Sequence, residues 1–235
     1  MPGNSFLQCK YHQILANCTL LQGLDTISYN SLLALFHEEK WKKNTCILNQ
    51  EKCFNNFYII FSGRVKMYQI EQQSRKEITL FLLTSSDVFD MFCLLDGYKH
   101  PVYYECLDNV RVLAAPMTDL KEWLNKNPQH YKNLFPYVGK LMRLMENYVS
   151  DITFRNIPTR LINLLIRNVR EDSKDLDLIN DLPNKEIANL IGSTRAVVNR
   201  HLQDLKKNGA IEVSRNRVEI KDHELLLRSL KIQRK

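Results

Sequence analysis

The chain has 235 residues, of which 44% are hydrophobic and 25% charged, a balance that excludes a disordered or fibrous protein. No apolar run approaches the roughly 18 to 20 residues of a transmembrane helix, and residues 1–10 lack the pattern of a signal peptide, so we expect a soluble, non-secreted protein without a membrane partner. The net charge of +7 is uneven: residues 154–235 hold 17 Lys and Arg against 11 Asp and Glu, which indicates that the C-terminal part binds a polyanion.

Six cysteines lie in the first half of the chain, at positions 9, 18, 46, 53, 93 and 106. They form no Cys-x-x-Cys pair, and no histidine stands at metal-ligand spacing. We therefore predict buried, reduced thiols and no metal site.

Residues 41–116 predict short β-strands separated by turns. The clearest strands are residues 57–63 and 64–70, with Gly63 at their turn, and further strands are expected at 77–83, 102–107 and 110–115. Several short strands at this spacing favour a β-sandwich or a β-roll.

After Pro116 the pattern becomes helical, with a short helix at 119–125 and a long helix that starts at Pro136. Apolar side chains then recur every three or four positions, which is the heptad-like spacing of a subunit contact. This predicted stripe consists of Tyr131, Leu134, Val138, Leu141, Met145, Tyr148 and Ile152, flanked by Met142 and Val149. We predict a homodimer, although a helix packed only on its own domain would show the same pattern.

The remaining chain predicts helices at 157–170, 183–191 and 195–208, followed by a hairpin of residues 211–213 against 218–220. Glycine is scarce and no flexible linker is present, so a helix is the natural connector between domains. The predicted division is a β-roll at 1–135, a dimerisation helix at 136–153 and a basic, helical C-terminal domain at 154–235.

Residues 185–200 have the pattern of a helix-turn-helix. Ala188 is small where two helices cross, Gly192 suits the turn, and Thr194 can cap the second helix. In that helix Val198, Leu202 and Leu205 share one face, whose opposite side is polar and basic. A solvated amphipathic helix is the alternative to a helix that enters the major groove.

The predicted DNA contacts come from this polar face, the turn before it and the hairpin, which would form a wing. We assign Arg195 and Arg200 to base edges, because arginine pairs with guanine through two hydrogen bonds, and the more distant basic residues to phosphates. The full set is Lys185, Ser193, Thr194, Arg195, Ala196, Asn199, Arg200, Gln203, Lys206, Arg215 and Arg217.

Over nearly its whole length the chain resembles the Crp/Fnr superfamily, and within it the cyanobacterial global nitrogen regulators. The resemblance is carried by Ile191-Gly-Ser-Thr-Arg195 with Val198, Arg200, Leu202 and Asp204-Leu-Lys206, and upstream by Glu77-Ile-Thr79, Val88-Phe89, Ala115-Pro116 and Arg160-Leu161. It implies an α+β fold: an N-terminal β-roll of the cyclic-nucleotide-binding, jelly-roll type, a long dimerisation helix and a C-terminal winged helix-turn-helix. It also implies a homodimeric transcription regulator of nitrogen-control type, either an activator or a repressor, with double-stranded DNA and, for an activator, RNA polymerase as partners.

In the regulators that the chain resembles, 2-oxoglutarate is the effector, held by main-chain groups, two arginines and a glutamate. The positions that match here are Phe89, Met91, Phe92 and Glu146.

Two departures affect this predicted effector site. Val102 and Leu141 stand at the arginine positions, and Lys140 and Arg143 lie one and two residues away from the second, on other sides of the helix. Because a dianion needs cations, we expect weak or no binding of 2-oxoglutarate and no cofactor. The residue pairs that bind cyclic AMP in another branch, and the ligands of haem or iron-sulfur branches, are missing as well.

Two other classes of function are alternatives to a DNA-binding regulator. An enzyme is disfavoured, because the sequence holds no nucleophile elbow, phosphate loop or metal triad. An adaptor that kept the fold and lost DNA binding, or a regulator of another pathway with a different effector or none, stays open.

The composition also bears on origin. The chain has 21 asparagines and only 7 glycines, a usage typical of an AT-rich genome. Together with the cyanobacterial resemblance, this predicts a plastid-encoded protein, as in red algae, located in the chloroplast, with a bacterial cytoplasm as the alternative.

Overall fold

The computed structural model describes residues 15–48, 50–89, 91–169, 176–214 and 217–232. The chain divides into two compact units. The first comprises the described residues up to Gln69 together with Phe81–Arg143, and the second comprises Ile70–Leu80 together with the described residues from Leu144 onward. The three-domain boundaries expected from the sequence stay a prediction. Within the described ranges, no helix is long and apolar enough to cross a membrane.

Strands β1 to β8 form two four-stranded sheets, with the orders β1-β8-β3-β6 and β2-β7-β4-β5, and β9 and β10 form a hairpin. The strands are β1 (His37–Trp41), β2 (Cys46–Leu48), β3 (Asn56–Ser62), β4 (Val65–Ile70), β5 (Glu77–Leu83), β6 (Val88–Phe89), β7 (Tyr103–Cys106), β8 (Val110–Pro116), β9 (Ile211–Ser214) and β10 (Arg217–Ile220). All the strands predicted from the sequence are confirmed to within three residues. The prediction missed β1, β2 and β6.

β1 shows why one strand escaped prediction. Its sequence, His-Glu-Glu-Lys-Trp, has no alternating apolar pattern, and β8 holds it by antiparallel pairing from His37↔Ala114 to Trp41↔Val110. Arg111 on β8 donates to the carboxylate of Glu38 at 2.7 Å, so a cross-strand ion pair stabilises this pairing.

Aromatic rings fill the space between the two sheets of the roll. Phe89 on β6 stacks on Tyr58 of β3 at 5.1 Å and on Tyr104 of β7 at 4.8 Å between ring centroids. Trp41 of β1 packs against the edge of Tyr58 at 5.1 Å. Since Tyr58, Phe89 and Tyr104 are at most 2% exposed, this ring stack joins the two sheets and occupies the interior.

The helices of at least six residues are α1 (Thr26–Leu33), α2 (Gln50–Asn55), α3 (Met91–Asp96), α4 (Met117–Lys126), α5 (Phe135–Phe154), α6 (Ile157–Arg167), α7 (Asn184–Leu190), α8 (Arg195–Lys207) and α9 (His223–Ile232). The predicted helices correspond to α4 to α8. The predicted end of α6 at residue 170 lies outside the described residues. The prediction missed α9, whose Leu226 is buried and whose Asp222 side chain accepts from the Leu225 amide at its start.

The apolar stripe of the long helix α5 differs from the predicted one. Leu141, which the sequence assigned to a subunit contact, is 7% exposed and packs within the chain, so that assignment is wrong. Leu134 is also buried, and Tyr131 lies before α5 in a short 3-10 helix. A second set of apolar residues, which shares some members with the predicted stripe, lies farther outward, with four members exposed and with Val138 and Met145 half-buried. We call it the outer stripe, and it consists of Phe135, Val138, Met142, Met145, Val149 and Ile152.

The thiol prediction is confirmed where the side chains are described. Cys18, Cys93 and Cys106 are buried and form no disulfide, and burial raises the pKa of Cys18 to about 11. Cys9 lies outside the described residues, and the side chains of Cys46 and Cys53 do as well. No cluster of metal-binding side chains occurs within the described part of the chain.

Candidate nucleic-acid interface

The turn between α7 and α8 has the geometry that the sequence predicts. Gly192 has φ of +63°, a left-handed conformation that favours glycine, and the Ser193 amide donates to the Ala188 carbonyl at 2.9 Å. The Thr194 hydroxyl accepts from the Val197 amide at 3.4 Å and so caps the start of α8. The helix-turn-helix is confirmed as a local structure.

The packing of α8 separates its two faces. Val198, Leu202 and Leu205 are buried, as predicted, against a core that includes Ile187 and Ala188 of α7. Because these apolar residues recur at four and three positions, they fix the rotation of the helix about its axis. The opposite face must then point to solvent.

That opposite face carries the predicted DNA-contacting side chains. Arg195, Ala196, Asn199, Arg200 and Gln203 are all exposed. The pKa of His201, next to this face, is lowered by burial and by the charge of Arg200, so His201 stays neutral near pH 7. The positive charge of this part of α8 therefore resides in Arg195 and Arg200.

A groove of about 570 Å³ runs between α8 and the hairpin. Lys185, Arg195, Asn199 and Gln203 line it from α7 and α8, and Ser214 and Arg217 line it from the hairpin. The structure thus brings six of these polar side chains to one concave surface. Five of the six belong to the predicted set of DNA contacts, and Ser214 is the addition.

Asn184, which the sequence analysis missed, also lines this groove. Its Nδ2 donates to the Asn199 side-chain oxygen at 3.2 Å, from the first residue of α7 to the middle of α8. No sequence pattern signals this pair, because the two residues are 15 positions apart and meet only when the helices pack.

Four of the predicted contacts differ in their surroundings. The Ser193 hydroxyl is buried and has no hydrogen-bond partner in the described ranges, so it faces inward and cannot touch DNA as placed. Lys206 donates to the Val213 carbonyl at 3.1 Å and so holds β9 against the end of α8, while its residue stays exposed. Arg217 pairs with Glu219 at 2.9 Å, and Arg215 lies outside the described residues.

The side chains named as candidate effector ligands lie in different surroundings. Phe89 belongs to the ring stack, and Met91 is 3% exposed. Phe92 is 37% exposed and meets the His100 ring edge-on at 5.0 Å. Glu146 is exposed on α5.

The backbone near Phe89 is already engaged. The Tyr137 hydroxyl donates to the Val88 carbonyl at 3.0 Å and accepts from the Val88 amide at 3.2 Å. Burial raises the pKa of Tyr137, so the hydroxyl keeps its proton for this bond. Lys140 pairs with Asp87 at 2.8 Å, and Val102, at one implied arginine position, is buried.

Two family models match the chain. A cyclic nucleotide-binding domain matches residues 38–127, and a Crp-like helix-turn-helix domain matches residues 159–229. The chain is a DNA-binding regulator of the Crp/Fnr type. The two models cover the roll and the region of α6 to α9, in the order that Crp/Fnr regulators have them.

Individual Crp/Fnr proteins are similar over most of their length. A CRP-like cAMP-activated global transcriptional regulator of Mycobacterium tuberculosis is 25% identical over 220 residues, which are 92% of this chain and 98% of the relative. A global nitrogen regulator of Nostoc sp. is 26% identical over 190 residues, 77% of this chain and 84% of the relative.

A solved structure shows the same fold. The structure of a CooA mutant from Carboxydothermus hydrogenoformans matches with a TM-score of 0.70 at 21% identity, covering 90% of this chain and 99% of that one. The predicted fold class is confirmed. The Crp/Fnr relatives are transcriptional regulators, and none of these comparisons indicates an enzyme family.

Proposed function

We propose that the protein is a homodimeric transcription regulator that binds a palindromic DNA site through α8. The observation that carries this proposal is the face of α8 on which Arg195, Asn199, Arg200 and Gln203 are exposed, while the apolar face is buried. A helix with this distribution fits the major groove, where arginine and asparagine side chains pair with base edges.

The residue roles follow from position along the DNA-facing surface. Arg195 and Arg200 lie in the first two turns of α8 and are assigned to base edges, since the start of a recognition helix reaches deepest into the groove. Lys185, Lys206 and the hairpin arginines Arg215 and Arg217 are assigned to phosphates. Thr194, Ala196, Asn199 and Gln203 complete the proposed contacts.

The homodimer is supported by the outer stripe of α5. Its members follow one another at intervals of three, four, three, four and three residues, which is a heptad repeat. Met142 is 67% exposed, Phe135 66% and Val149 51%, so the stripe presents apolar area to solvent in the isolated chain. A second copy of the helix would cover it about a two-fold axis, which also explains a palindromic site.

The proposed pathway is nitrogen control. It is supported by the similarity to the Nostoc regulator, which is 26% identical over 77% of this chain, whereas the cAMP-activated Mycobacterium regulator is 25% identical over 92%. The ring stack and the Val88–Tyr137 bonds favour a second candidate, a Crp/Fnr regulator of another pathway with a different effector or none, because they occupy the groups that the resemblance assigns to 2-oxoglutarate. Activation through RNA polymerase belongs to the proposal too.

The proposed compartment follows the relatives. The relatives named above are bacterial proteins, which favours the bacterial alternative over the plastid predicted from composition.

Two linked measurements test the proposed function. Repeated selection of random duplexes by the purified protein should recover a palindrome, and titration of that palindrome at several salt concentrations should show log affinity falling linearly with log salt. The slope is about −0.9 per phosphate contact, so a dimer with several basic contacts per subunit loses roughly 10³-fold or more between 50 and 200 mM salt. Failure to bind any duplex at low salt would favour the adaptor.

A further inference from the structure

Arg160, on α6, binds three main-chain carbonyls, which lie in α5, in the link between α5 and α6, and in the turn after α7. Its Nη2 donates to the Ile152 carbonyl at 2.9 Å, and its Nε donates to the Arg155 carbonyl at 2.9 Å. Its Nη1 donates to the Ile191 carbonyl at 3.1 Å, in the turn of the helix-turn-helix. One side chain therefore connects the end of α5 with the turn that precedes α8.

The chemistry at this point requires an arginine. The last carbonyls of a helix have no partner within the helix, and a positive charge is favourable there. A guanidinium carries its donors on three separate nitrogens in a fixed plane, whereas the three donors of a lysine ammonium all leave one atom at the end of a flexible chain and cannot reach carbonyls this far apart as readily. A lysine at position 160 would keep the charge and lose the bridge.

Asp151 makes a second connection close by, between α5 and α6. Its Oδ1 accepts from the Asn163 side-chain amide at 3.1 Å, and its Oδ2 pairs with Arg167 at 2.9 Å. The Asp151 side chain is 15% exposed, whereas that of Arg167 is 51% exposed, so only the carboxylate end of this pair is largely buried. Together Asp151 and Arg160 fix the direction in which the chain leaves α5, and all their partners lie in the second compact unit.

We infer that Arg160 is a positioning residue that sets the half-site spacing of the DNA site, with Asp151 in support. In a dimer joined along α5, the ends of the two α5 helices are fixed relative to each other. The position of each α8 in the major groove of the DNA then depends on how firmly the turn at Ile191 is held to the α5 of the same subunit. This inference rests on the proposed homodimer, since spacing has a meaning only for two half-sites.

The test compares three duplexes: the palindrome recovered by selection, and two versions with one base pair inserted or removed at its centre. Each change rotates one half-site by about 35° and moves it by about 3.4 Å relative to the other. We expect the wild type to prefer the original spacing by roughly tenfold or more, and Arg160→Lys to bind the three duplexes within about threefold of one another. Its sedimentation as a dimer, its affinity for random DNA and its salt slope should stay those of the wild type.

Arg228→Lys is the matched control, because it makes the same charge-conserving substitution at an exposed position of α9, where the arginine pairs with Glu224 four residues away. It should keep the spacing preference. Asp151→Asn serves as a second variant and should relax the preference partly, so the inference does not depend on the folding of one protein. An unchanged preference in folded Arg160→Lys overturns the inference alone. A wild type that binds the palindrome no more tightly than one half-site overturns the homodimer proposal as well.

Discussion

The interior of the roll and the polar face of α8 differ in whether other side chains cover them. In the roll, the Phe89 ring stacks on the rings of Tyr58 and Tyr104, so side chains of the protein itself fill the interior. On α8, Arg195 and Arg200 are exposed, and nothing apolar covers them in the described part of the unit. This Crp/Fnr regulator therefore keeps the proposed DNA-facing surface of α8 open, while its own aromatic rings occupy the space between the sheets of the roll.

The first prediction concerns the outer stripe of α5, where added charge should abolish the proposed dimer. In the double variant Met145→Asp, Val149→Asp, a dimer would bury carboxylates of like charge on both sides of the two-fold axis, which costs several kcal/mol for each ion. We expect a monomer in sedimentation and loss of binding to the palindrome. This result would mean that DNA binding depends on dimerisation through α5 as well as on the exposed polar face of α8.

Leu144→Asp is the matched control, because Leu144 is an exposed apolar residue of α5, 45% accessible, that lies off the outer stripe. It should remain a dimer. If the double variant still sediments as a dimer, the subunit contact lies on another surface and the outer stripe is a solvated face.

The second prediction concerns the ring stack inside the roll. Phe89→Ala removes the central ring of the stack and leaves a cavity, so we expect the free energy of unfolding to fall by about 3 to 5 kcal/mol. Phe92→Ala, three residues on and at the surface, should cost less than about 1 kcal/mol. Urea unfolding measures both. Equal losses in the two variants would mean that the ring stack does not hold the roll together.

The helix-turn-helix could be predicted from the sequence because its determinants are local. Gly192, Thr194 and the apolar residues of α8 lie within one turn or two of the positions that they specify, and each behaves as expected. The wing and the long helix followed from similar short-range signals.

The features that the sequence did not predict depend on contacts between residues that are distant in sequence. Leu141 and Met142 are adjacent and both apolar, and only the packing of α5 decides which one is buried. β1 is held by partners about 70 or more residues away, as in the Arg111–Glu38 pair, and Asn184 meets Asn199 only after two helices pack. Periodicity in a single sequence does not encode such choices.

The most direct test of sequence-specific binding by the open face of α8 compares Arg195→Ala and Arg200→Ala on the selected palindrome and on random DNA. Each variant should lose about 1 to 3 kcal/mol on the palindrome, with a relaxed preference at one G·C pair per half-site, and much less on random DNA. Arg217→Ala, a proposed phosphate contact, should weaken binding to both DNAs alike and reduce the salt slope by about one. Equal losses on palindrome and random DNA for Arg195→Ala and Arg200→Ala would contradict the account, because both arginines would then contact phosphates and the sequence would be recognised elsewhere.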